Sequence, residues 1–184
     1  MKRAAALLLI LLLTGCGSQK EELNQAMAFR AKLMTSQGCA FDAVVTADYG
    51  GETQTFSVSC EADYQGNLTF TVTKPETIAG ISGKVAADGG ALTFDDKVLS
   101  FALLAQGQVT PVSAPWLLVR TLLGGNVTAC TEEDGMLRIS AEDGYQEDAL
   151  HMEIWLEQDA PKFAEIVWKD RRILTLEIEN FRIL

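Results

Sequence analysis

The sequence predicts an α+β fold: a curved antiparallel sheet, a half-open β-barrel of about ten strands, with an N-terminal helix and a central apolar helix on its concave face. Three observations predict it. After Gly38, apolar and polar residues alternate through most of the chain, the period of strands with one buried face. Two segments break that period, one before Gly38 and one between residues 110 and 125. A long antiparallel sheet twists and curls, so its apolar face needs a cover, and only these two segments can supply it.

Glu21 to Met34 reads as the first helix. At about 100° per residue, Leu23, Ala26, Met27, Phe29, Leu33 and Met34 share one broad stripe. Arg30 falls inside it, either as a snorkelling side chain or as a buried charge paired with a carboxylate. Gly38 suits the helix stop. Cys39, Phe41, Ala43 and Val45 then alternate with polar or small residues, Tyr49-Gly50-Gly51 turns the chain, and Phe56, Val58 and Cys60 return on the same face. Gln65-Gly66-Asn67 turns it again, and Leu68, Phe70 and Val72 form a one-sided strand that Pro75 ends. Short strands are expected at Gly83 to Ala87, Ala91 to Phe94 and Val98 to Leu103, with turns at Gly89-Gly90 and Asp95-Asp96.

Between residues 110 and 125, Ser113 can cap a helix, Pro115 suits its first turn and Gly124 its end. Trp116, Leu117, Leu118, Val119, Leu122 and Leu123 make this helix apolar nearly all round, so it must be covered on several sides. Five further strands are expected: Asn126 to Thr131, Met136 to Ala141, Ala149 to Leu156, Phe163 to Lys169 and Ile173 to Ile178. The strands follow one another as a meander, and residues 21–184 read as a single domain.

Composition narrows the function. Among 184 residues, 25 Asp and Glu outweigh 15 Lys and Arg, a formal charge of −10. This argues against nucleic acid as a partner, because phosphate binding needs clustered Lys and Arg. The single histidine, His151, leaves little room for a His-based triad or a multi-His metal site. No Gly-x-Ser-x-Gly or Walker motif is present. His151 and Glu153 lie two apart on one strand and could do acid–base work, but an exposed polar strand face is the stronger reading. The acidic turns at 132–135 and 142–148 lack the alternating spacing of a calcium loop. Neither enzyme activity, cofactor nor metal is expected.

The leader carries the most specific motif. Lys2 and Arg3 precede ten apolar residues, Ala4 to Leu13, too few to span a bilayer core of about 30 Å. Leu13-Thr14-Gly15-Cys16 follows and resembles the bacterial lipobox. That resemblance implies a signal peptide at 1–15, cleavage before Cys16, and a palmitate-type lipid anchor on its sulfur. Residues 16–20 would be the lipidated cysteine and a short tether. Losing fifteen residues, two of them basic, would leave 169 with a side-chain charge of −12. The expected location is the extracytoplasmic face of the cell membrane.

The C-terminal run Ile154-Trp155-Leu156-Glu157-Gln158-Asp159-Ala160-Pro161, continued by Glu165-Ile166, Asp170-Arg171-Arg172 and Glu177-Ile178-Glu179-Asn180-Phe181, resembles the LolA/LolB-like lipoprotein-carrier superfamily, and in particular the LolA-like envelope lipoproteins of Gram-positive spore formers. About forty residues carry the pattern: a Trp-Leu-acid strand end, a Pro in the turn, a strand, an Asp-containing turn and a last strand ending near Asn-Phe. The resemblance implies a cavity between sheet and helices that takes acyl chains or an apolar protein segment. Some spore-former relatives bind a protein partner instead, such as a cell-wall amidase. It also makes Arg30 a candidate for the carriers' functional arginine.

Two expectations therefore stand together. The first is a membrane-anchored module that binds a lipid or a protein partner between sheet and central helix, with Trp116, Leu117, Leu118, Leu122 and Leu123 as ligand surface or as plug. The second is an envelope scaffold with a filled core that acts only through protein contacts. Three cysteines besides Cys16 remain. Cys39 and Cys60 would face each other if the turn centres between Tyr49 and Gly50, so they form either a disulfide or, with Cys130, a set of buried thiols.

Overall fold

The computed structural model describes residues 18–86, 93–94, 104–105, 109–146 and 149–184. Cys16, the leader, the expected strand Val98 to Leu103 and the turns Gly89-Gly90 and Asp95-Asp96 lie outside them.

Helix α1 spans Ser18–Met34. Five strands follow: β1 Gly38–Asp48, β2 Thr53–Asp63, β3 Leu68–Lys74, β4 Ser82–Val85 and β5 Thr93–Phe94. A short 3-10 turn, Pro111–Ser113, leads into helix α2, Ala114–Gly124. The second set of strands is β6 Asn126–Glu133, β7 Met136–Glu142, β8 His151–Glu157, β9 Ala160–Trp168 and β10 Arg171–Ile183. All ten make one antiparallel sheet in the order β5-β4-β3-β2-β1-β10-β9-β8-β7-β6. The curved sheet with its two helices is the architecture the alternation predicts.

The connectivity differs from a single meander. It is two five-strand meanders joined at the middle by β1 and β10, with Ala43 opposite Ile178 and Val45 opposite Leu176. β5 and β6 therefore lie at opposite edges, and the chain between them crosses the sheet carrying α2. The physical reason is burial. Ala43, Val45, Leu176 and Ile178 are at most 3% exposed, so the seam between the two meanders lies in the core.

One buried core joins the sheet's inner residues to both helices. On α1 the buried residues are Ala26, Phe29 and Leu33, the i, i+3, i+7 positions of a single narrow face. Leu23, Met27 and Met34, placed in the same stripe from sequence, are 42, 36 and 57% exposed. A helix laid on β6, β7 and β1 and flanked by α2 has room to bury one line of side chains, and the second line stays at its shoulder.

The β1–β2 hairpin corrects the expected register. Asp48 pairs with Thr53, so the loop holds four residues and Phe41, not Cys39, stands opposite Cys60. Cys39 faces Ala62. Diagonal neighbours of this kind lie roughly 7–8 Å apart, beyond the usual reach of a disulfide. Cys39, Cys60 and Cys130 are free, buried thiols. Burial pushes the Cys39 thiol up to about 12 and raises those of Cys60 and Cys130, so they act as small hydrophobes rather than nucleophiles.

Candidate functional site

The site begins with α2. The Ser113 hydroxyl donates to the Thr110 carbonyl at 2.8 Å, closing the turn before the helix. Leu117, Leu118 and Leu122 are 5, 0 and 4% exposed and belong to the core. Between α1, the Thr121–Leu122 end of α2 and strands β6–β8 lies a void of about 10 Å³, room for one water at most. Of the residues singled out on this helix, Trp116 and Leu123 line a surface opening.

That opening is a groove of about 290 Å³. Its walls are Met34 at the end of α1, Tyr64 and Gly66 in the β2–β3 turn, and Trp116, Arg120 and Leu123 on α2. Each wall is fixed. The Trp116 indole donates from Nε1 to the Gly66 carbonyl at 3.1 Å, and the Arg120 guanidinium stacks 5.2 Å from the Trp116 ring. The turn is held by Asp63, whose carboxylate accepts from the backbone of Gln65 and Asn67, both at 2.9 Å, and from Asn67 Nδ2 at 2.8 Å. Burial would raise the Asp63 carboxyl, but these hydrogen bonds outweigh it and hold it below the usual range. Tyr64, 62% exposed, projects from this rigid turn. Among the described residues no carboxylate pairs with Arg120.

Met34 and Tyr64 were missed from sequence. Met34 was counted as core. The available signal for Tyr64 was a large aromatic in a turn of otherwise polar residues, Asp63 to Asn67.

Arg30 closes the other side of α2. Its Nε donates to the Leu122 carbonyl at 2.8 Å, and its Nη2 donates to the carbonyls of Thr121 at 3.0 Å and Gly125 at 2.9 Å. The side chain is half-buried, and burial lowers its pKa from the ordinary arginine value. These three partners are carbonyls at the helix's C-terminal end, where four acceptors lack intrahelical donors and the dipole favours a cation. This corrects the expected carboxylate partner and goes beyond a snorkelling side chain.

His151 and Glu153 lie on the opposite face of the sheet, away from the groove. The Glu153 carboxylate accepts from Arg138 Nε at 3.0 Å and Ser140 Oγ at 2.7 Å, and His151 Nε2 lies 2.8 Å from its other oxygen. Burial would raise this carboxyl, but hydrogen bonds from Arg138, His151 and Ser140 hold it below the usual range. A depressed carboxylate contributes stability that is complete above the unfolded value of about 4.3 and is lost as pH falls through the lower folded value. Glu153→Gln should cost about 2 kcal/mol at neutral pH, read from urea unfolding. The gap between variant and parent should close on acidification below roughly pH 4.

A polar depression of about 230 Å³ crosses β10, β1, β2 and β3, lined by Asp42, Ser59, Thr71, Asn180 and others. The α2 groove is the better candidate, because binding sites combine apolar and aromatic walls with a few polar groups. Among the described residues no cluster of three or more His, Cys, Asp or Glu could hold a metal ion. Among them, no helix is long and apolar enough to cross a membrane.

No protein-family model matches the sequence, and no curated protein aligns with it significantly. Several solved structures align with most of its length. A LolA superfamily protein from Nitrosomonas europaea is 8% identical over 86% of this chain and 93% of its own, with a TM-score of 0.43. An outer membrane lipoprotein-sorting protein domain from Vibrio parahaemolyticus is 11% identical over 90% of this chain and 93% of its own, with a TM-score of 0.42. A DUF1329 family protein from Desulfovibrio piger is 13% identical over 90% and 93%, with a TM-score of 0.43.

Proposed function

We propose that this chain is a membrane-anchored envelope lipoprotein, not an enzyme, that binds a protein partner through the groove between α1, α2 and the β2–β3 turn. One observation supports the reading: Leu117, Leu118 and Leu122 on α2 are buried in the core, while an apolar groove of about 290 Å³ stands open beside them. An acyl chain entering where these leucines pack would have to displace them. The open groove lies just below the roughly 300–1,000 Å³ of small-molecule pockets and suits one or two large apolar side chains. Its Trp, Tyr, Met and Arg walls are the residue types enriched where proteins meet. Arg120 favours a segment that carries a carboxylate beside its apolar anchor.

A photo-crosslinking residue at Tyr64, activated in intact membranes, should join the chain to one discrete protein. Met34→Asp and Tyr64→Asp should each weaken that partner's binding at least about tenfold. Both side chains are more than half exposed, so the melting temperature should stay within about 2 °C. Native mass spectra showing bound lipid, with no protein crosslink at Tyr64, would decide for the acyl-chain reading instead.

A further inference from the structure

The shoulder of α1 has an apolar ridge that nothing in the described fold covers. Leu23 and Met27 are one helical turn apart on one side, 42 and 36% exposed. Lys20, on the same side, is also exposed. Two large apolar side chains facing water on neighbouring turns call for an occupant. The position of α1 in the chain supplies one. The helix starts at Ser18, two residues after Cys16, so a lipid on that cysteine is at most about 8 Å of chain from the helix start. At 1.5 Å per residue, Leu23 lies about 8 Å along α1 and Met27 about 14 Å. Apolar faces of interfacial helices sink roughly 5–10 Å into the boundary between headgroups and acyl chains. Both side chains are close enough to the anchored cysteine to reach that boundary when the helix leans onto the bilayer.

We infer that the Leu23–Met27 ridge rests in the outer surface of the bilayer, with Lys20 reaching the headgroups, and that it sets the tilt of the whole domain. The inference rests on the lipid-anchor reading. Met34, on the same shoulder, lies about 24 Å along the axis, so the groove sits at the end of α1 farthest from the anchor. The acidic body adds no attraction to an anionic surface, so the contact depends on the apolar ridge.

Site-directed spin labelling of the full-length, lipidated protein tests this. The other thiols are buried, so Leu23→Cys, Met27→Cys and Gln25→Cys each offer one exposed site. Gln25 is exposed at the same height but on another side of the helix. In phosphatidylcholine vesicles, with or without phosphatidylglycerol, labels at 23 and 27 should lose access to a water-soluble nickel complex and gain access to oxygen. The label at 25 should stay open to nickel. Equal nickel access at all three positions on protein that floats with the vesicles would overturn the ridge contact and leave the anchor standing. Protein that does not float would remove the anchor and the ridge contact together.

Discussion

Gly38→Ala is expected to cost about 4 kcal/mol or more, with a fall in melting temperature of about 10 °C. Gly38 has φ +145°, and a Cβ there would collide with the Ala62 carbonyl and press on the backbone of Asp63. Backbone conformations of this kind cost roughly 1–3 kcal/mol for a side-chain-bearing residue. The collision adds to that, because Ala62 is fixed in the β1–β2 pairing and cannot swing aside as a side-chain tip could. Gly51→Ala is the matched control. Its added Cβ would meet nothing within 4 Å, so thermal melting should place it within about 0.5 kcal/mol of the parent. If both variants melt alike, the Gly38 argument fails.

Arg30→Ala is expected to cost about 3 kcal/mol, since it strips three charge-assisted hydrogen bonds from the end of α2. Arg30→Lys should recover less than half, because an ammonium cannot reproduce the planar fork that reaches three carbonyls. The effect should be local. Hydrogen exchange should quicken in α2 ahead of β1 and β10, and α2 should lose its hold on the wall of the groove. Equal quickening across helix and sheet would show that Arg30 supports the fold in general and not the seat of α2.

These two residues show what could be read from the chain. The helix stop at Gly38 was visible, but the contact that forbids a side chain there comes from β2, two dozen residues away. Among the described residues the 2.0-residue period located the long strands and their inner face, because register with one buried face leaves few choices. It did not reveal that β1 pairs with β10, since alternation says which face is buried and not which neighbour lies alongside. Arg30 stood out as a charge in an apolar stripe. Its partners were hidden because backbone carbonyls carry no sequence signature. Trp116 was legible as apolar surface. The groove was not, because Met34, Tyr64 and Leu123 come from three elements whose meeting depends on the crossover of α2.

The pairing of β1 with β10 also bears on how the molecule is made. Each meander can form as its own strands appear, but β1 keeps a bare hydrogen-bonding edge until β10, made last of the ten, arrives beside it. That seam joins residues some 130 positions apart and is slow to close. A nascent chain halted before residue 171 would hold two half-sheets with nothing to zip them, exposed to any passing strand. Chaperone dependence of this protein should therefore fall sharply once its final thirteen-residue strand is released.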